Sequence, residues 1–214
     1  HTRMQILAKV LEGAVAEEQK AVDQGEISQG IAVAEFEYIA QTAFQAHEDR
    51  ARVSEFFLIS FGTLLAAVLT TQLTDVDTRL VYRLFSILFT VVALWGALTI
   101  LQLSRLRQAW LESVRAMNTM KDALIQQAPE MQDYFRWRTG TIPKAYKPWS
   151  VGFLLALQVA MVSGIALGAA SALFLLMAGV SNLPWILILV SMVVMLFYLV
   201  FLYYLPLRKS EKGA

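Results

Sequence analysis

The sequence predicts an all-α protein, a four-span transmembrane helical bundle with a cytoplasmic helical stalk. Three observations lead there. Of 214 residues, 57% are hydrophobic and only 16% charged, with a mean hydropathy of +0.53; soluble domains carry about 25% charge. The apolar excess is gathered into four blocks, at residues 56–71, 81–103, 149–180 and 183–207. Finally, Pro129, Pro143, Pro148, Pro184 and Pro206 all stand at block edges, where a missing N–H is tolerable. A helix needs roughly 20 mainly apolar residues to cross a bilayer. Three blocks exceed that, and 56–71 borrows a turn on each side. The chain divides accordingly into cytoplasmic helices (1–55), a first transmembrane pair (56–103), a cytoplasmic helix with an interfacial segment (104–148), a second pair (149–207) and a cytoplasmic tail (208–214).

The elements follow in order. Residues 4–22 read as a short amphipathic helix, with Ile6, Val10 and Ala14 on one face and Leu7 and Leu11 beside it. Gly25 marks its end, and a second helix starts near Ile27. That helix carries a 3-4 stripe of Phe36, Ile39, Ala43, Ala46, Arg50, Val53, Phe57 and Ser60, which enters the first span without a breaker. Helix and span are therefore expected to form one rod. Beyond the second span, Leu103, Leu106, Trp110, Val114, Met117, Met120 and Leu124 repeat every three or four residues, an extension of roughly 35 Å. Two such rods, antiparallel and each apolar along one stripe, should pair as a coiled-coil stalk, with the 4–22 helix covering what is left. The following MQDYFRWRTGTIPKAYKPW interleaves aromatic and basic residues and suits a segment at headgroup level.

The third span reads GFLLALQVAMVSGIALGAASA. Gly152, Ala156, Ala160, Gly164, Gly168 and Ala172 place a small residue at every fourth position. Lipid tails are as apolar as leucine, so membrane helices associate by close packing, which small residues permit. Each four-residue step drifts about 40° around the helix, so one straight neighbour cannot contact the whole strip. It serves close packing inside one bundle, or, around Gly164 and Gly168, a contact between subunits. The first two spans carry hydroxyls at 3-4 spacing, Ser60, Thr63 and Thr70 on one and Ser86 and Thr90 on the other. These either bond their own i−4 carbonyls or line a narrow water path in an oligomer. The fourth span is nearly all large and apolar, with Tyr203 and Tyr204 at its inner end, and is expected to be the most lipid-exposed helix.

All 18 Lys and Arg except Arg79 and Arg83 fall in the N-terminal region, the 104–147 connection or the C-terminal tail. Positive residues stay cytoplasmic, so both termini and the middle connection should face inward, with 74–79 and 181–182 outside. A formal net charge of +1 with scattered basic residues leaves no nucleic-acid footprint. The first 52 residues lack the pattern of a secretory signal peptide.

Catalytic chemistry has little to stand on. There is no cysteine. The internal histidine, His47, has Glu48 and Asp49 beside it in sequence but on other helix faces, and the paired Glu-x-x-His of carboxylate metal helices is absent. No glycine-rich phosphate loop, G-x-S-x-G or H-E-x-x-H occurs. No ionisable residue lies deep in a span, which argues against a proton-coupled transporter. Gln158, near the start of the third span, is expected to make an interhelical hydrogen bond.

The layout of residues 28–125, long helix, two close spans, long helix, resembles the SLATT families of bacterial two-span effectors. The likeness is carried by RARVSEFFLISFGTLLAAVLTTQ and LVYRLFSILFTVVALWGALTILQLSRLRQAW. That resemblance implies a membrane-perturbing or pore-forming role. The expectation is thus a non-enzymatic, multi-pass protein of the bacterial inner membrane, with no cofactor or metal. It is homo-oligomeric and channel-like; the competing reading is an accessory subunit of a larger membrane complex.

Overall fold

The computed structural model describes residues 2–70, 77–135, 137–142, 144–180 and 184–212, with backbone alone for 2–28, 184, 187 and 209–212. Four α-helices carry the fold: α1 Thr2–Thr70, α2 Thr78–Gln127, α3 Val151–Met177 and α4 Pro184–Lys212. Two 3-10 turns, Pro129–Tyr134 and Thr139–Thr141, lie between α2 and α3. The chain is 90% helix, with no strand among the described residues. All four helices contain a stretch long and apolar enough to cross a membrane.

Gly25 does not end the first helix. The backbone stays helical through it, so the expected pair of N-terminal helices is one rod. A single glycine costs a helix interior about 1 kcal/mol relative to alanine, which the surrounding Ala, Glu and Gln residues offset. The apolar face expected for residues 4–22 lies among side chains outside the described set, as do the connections at 74–76 and 181–182. Further along α1, the expected stripe is the face turned inward: Ala43, Ala46, Arg50 and Phe57 are buried, and Phe36, Ile39, Val53 and Ser60 half-buried.

Asp77 caps α2 by accepting from the Arg79 amide at 3.0 Å. The helix then runs unbroken past its apolar span to Gln127. Its buried residues beyond the span are Ser104, Leu111, Asn118 and Ile125, a seven-residue repeat. That seam is turned by about one residue from the Leu106–Trp110–Leu124 stripe expected from the sequence, whose Leu124 is exposed. Polar Ser104 and Asn118 disguise it. Ser104 of that seam donates to the Tyr203 carbonyl of α4 at 3.5 Å, while α1 packs against α2 with Phe57 edge-on to Trp95 at 5.7 Å.

The chain between α2 and α3 is tied back onto α2 at two places. Asp122 accepts from Arg138 Nε at 3.2 Å and from the Thr139 hydroxyl, while Arg107 Nε donates to the Ala145 carbonyl at 3.3 Å. The segment therefore begins about 36 Å along the axis beyond Leu103, is tied to α2 through Arg138 about 28 Å out, and returns to the start of α3.

α3 is central, packing on α1, α2 and α4, and ten of its residues are buried. α4 packs on α2 and α3 through Met195, Leu199, Tyr203 and Leu207. Pro206 lies inside α4 instead of ending it. Its ring removes one helical donor; nearby, Gln108 Nε2 donates to the Pro206 carbonyl at 2.8 Å and holds that turn to α2. α1 and α4 are the two least covered spans, with 11% and 17% of their apolar windows buried.

Candidate functional site

The small-residue strip of α3 is filled from within the same chain. Gly152, Ala156, Ala160, Gly164, Gly168 and Ala172 are all buried. A Cβ on Gly164 would stand 3.0 Å from the Met192 carbonyl oxygen, and one on Gly168 would stand 2.9 Å from that of Ile188. Backbone meets backbone there, and Ser191 Oγ donates to Ser171 Oγ at 3.3 Å in the same interface. At the other end of the strip, Gly152 faces Arg50 of α1 and Tyr203 of α4. The partner changes along the strip, as the helical drift requires. The face that a subunit contact at Gly164 and Gly168 would use is occupied by α4.

A second close approach went unseen in the sequence. A Cβ on Gly96 of α2 would lie 1.7 Å from Ser163 Oγ and 2.8 Å from Ser163 Cβ. Ser163 is fully buried and donates to the Val159 carbonyl at 2.7 Å. Its signal was a lone glycine in the Ser86–Thr90–Ala93–Ala97 region, one position from the seam.

The hydroxyl residues divide between two surroundings. Ser86 is buried and donates to the Ala170 carbonyl of α3 at 2.9 Å; it belongs to the bundle interior. Thr63, Thr70 and Thr90 are exposed, and each donates back to its own helix, to Ile59, Ala66 and Ser86 carbonyls at 2.9, 2.9 and 2.8 Å. Ser60 is half-buried. The five therefore do not line one path within a single chain. On α1 the exposed hydroxyls share their face with exposed Gly62, Ala66 and Ala67, and nothing lies within 4 Å of a Cβ placed on Gly62. Spacing of four residues makes Gly62, Ala66 and Thr70 a second small-residue strip, left open where that of α3 is filled.

Gln158 is exposed on the outside of α3, so it does not bridge helices as expected. His47 Nδ1 instead meets Arg50 Nη2 at 2.7 Å. No group of three or more His, Asp or Glu suited to a metal occurs among the described residues. Outside the spans, the Thr139 hydroxyl and then Arg138 hold the Asp122 carboxyl below its ordinary value of 3.8.

Helices and strips together define a helical protein with four segments suited to a bilayer. No protein-family model matches the chain, and no curated protein or solved structure matches it.

Proposed function

We propose that this is a non-enzymatic, multi-pass protein of the bacterial inner membrane that assembles into a homo-oligomer through α1 and forms or gates a pore. Both termini and the α1–α2 stalk face the cytoplasm in this reading. The observation that carries it is the open strip of Gly62, Ala66 and Thr70 on α1, of whose apolar window 11% is buried. Small residues invite a neighbouring helix to close approach in lipid, and nothing among the described residues lies within 4 Å of a Cβ placed on Gly62. Thr63 on the same face supplies weakly polar lining, flanked by Ile59 and Leu69, which could gate by dewetting. Ser86 is not part of the lining in this arrangement. An accessory subunit that offers the same strip to a different protein is the competing reading.

Liposome flux of Thr63→Asp tests the choice. In a pore, a carboxylate ring wets the path and raises resting leak, with the purified protein running as a multiple of its 24.0 kDa chain. A folded, inserted Thr63→Asp protein with no added leak and a companion of different mass would replace the pore by the accessory reading.

A further inference from the structure

Arg50 and Arg107 stand within electrostatic reach of one another, and among the described residues neither forms an ion pair. Arg50 of α1 is 5% exposed. Its Nη2 meets His47, its Nε has no partner, and its Nη1 lies 3.0 Å from the point where a Cβ on Gly152 would stand. Tyr203 Oη is 3.3 Å from that same point. Arg107 of α2, half-buried, stacks on Trp110 at 4.4 Å and donates to Ala145. The ionisable groups that act on Arg50 are Arg107 and Tyr203, and on Arg107, Tyr203. The ion pairs among the described residues, Arg52–Glu48 and Arg138–Asp122, involve neither.

Gly152 adds a third positive source, because it sits in the first turn of the 27-residue α3. Ser150 takes the Phe153 amide at 3.3 Å, which leaves Val151 and Gly152 as N-terminal donors at the positive end of the helix dipole. Desolvating one guanidinium is costly, and placing a second nearby adds repulsion. Arg50 and the first turn of α3 thus bring positive charge to one point, Arg107 lies within electrostatic reach of it, and the buried Arg50 Nε has no acceptor among the described residues. An anion would satisfy all of these groups at once.

We propose that Arg50, Arg107, Tyr203 and the first turn of α3 bind a phosphate group of net negative charge, supplied by an anionic phospholipid or by a soluble phosphate ester. Guanidinium forks match phosphate oxygens in pairs, and helix N-termini bind phosphate through free amides. The surroundings favour the lipid source. Trp149, three residues before Gly152, is held in the left-handed region at φ 62° and is 78% exposed, as an interfacial anchor would be. One residue beyond Ala145, Tyr146 opens an apolar groove of 610 Å³ that runs past Tyr204 and Phe201 to Phe197, a course suited to an acyl chain. This site does not depend on assembly through α1.

The test uses the full chain in nanodiscs of phosphatidylcholine, of phosphatidylcholine mixed with phosphatidylglycerol, and of phosphatidylcholine with inorganic phosphate added. Unfolding midpoint and retained lipid, by native mass spectrometry, are read at high salt for wild type, Arg107→Gln, Arg107→Lys and the exposed-site control Arg208→Gln. Phosphatidylglycerol should raise the wild-type midpoint and be retained preferentially. Arg107→Gln should weaken that preference about tenfold, the loss of one charge-assisted hydrogen bond, while Arg208→Gln keeps it. Arg107→Lys preserves the charge and guards against misfolding; it should fall between wild type and Arg107→Gln. A rise with inorganic phosphate alone supports the site and assigns the soluble source. The proposal is overturned if wild type prefers neither probe, if Arg107→Gln retains the preference, or if Arg208→Gln loses as much as Arg107→Gln.

Discussion

Replacing Gly96 by alanine places a methyl carbon 1.7 Å from Ser163 Oγ, 2.8 Å from Ser163 Cβ and 3.2 Å from Phe57 Cζ. Rotating the serine relieves the first contact but breaks its 2.7 Å bond to the Val159 carbonyl. No rotation relieves the second, because Cβ is fixed to the backbone, so α2 and α3 must separate. Overpacking of this kind costs about 1–3 kcal/mol, against a gain of about 1 kcal/mol from alanine's helix propensity. Gly62→Ala takes the same propensity gain with nothing within 4 Å. The difference between the two variants therefore isolates the clash, about 2 kcal/mol or about thirtyfold in the folded-to-unfolded ratio. Reversible unfolding in mixed micelles measures it. Ser163→Gly removes both close atoms and should recover at least half of the loss in the double variant, a coupling expected only for direct contact. Equal stability of Gly96→Ala and Gly62→Ala, or additive behaviour with Ser163→Gly, would refute the packing argument.

Gly168→Leu meets a backbone carbonyl at 2.9 Å, so it should cost the folded monomer more than Leu157→Ala, which trims a half-buried side chain; subunit dissociation with an intact monomer would contradict this. Asn118→Leu removes a buried Nδ2 that has no hydrogen-bond partner and should stabilise the chain by about 1–2 kcal/mol in the same unfolding assay. Asp122 has a folded-state pKa below 3.8, so its tie to Arg138 and Thr139 is intact above that ordinary value and is lost only as pH falls through the lowered one. Limited proteolysis near Thr139 should thus rise under strong acid, and at neutral pH in Asp122→Asn. Cysteines at exposed Thr78 and Thr119 should label from opposite sides of intact spheroplasts, and labelling of both from outside would reject the topology.

The four spans, the continuity of α1 from residue 27 into its span and that of α2 beyond its own were readable because apolar blocks and uninterrupted 3-4 stripes are local properties, whereas the helix end expected at Gly25 is absent. The inward face of α1 could be read residue by residue for the same reason. What failed was anything decided by a neighbour. The α3 strip shows that a helix will be approached closely, but only Met192 and Ile188 in space show by what. Gly96 carries no pattern of its own, since its role exists only opposite Ser163. Asn118 lies outside the stripe expected on α2, yet it is 1% exposed. Arg50 and Arg107 are 57 positions apart in the numbering, and no charge count could bring them together.

The backbone contacts at Gly164 and Gly168 also set an order of manufacture. Chains emerge N-terminus first, so α1 and α2 are available before α3, and α4 follows α3. Until Ile188 and Met192 arrive, two glycines of α3 present bare peptide to their surroundings, and the Ser191 partner of Ser171 does not yet exist. The α3 strip is therefore covered only once the 29-residue α4 is made. A nascent chain stalled before Pro184 would hold an inserted but unfinished bundle, with its smoothest helix surface open to whatever else shares the membrane.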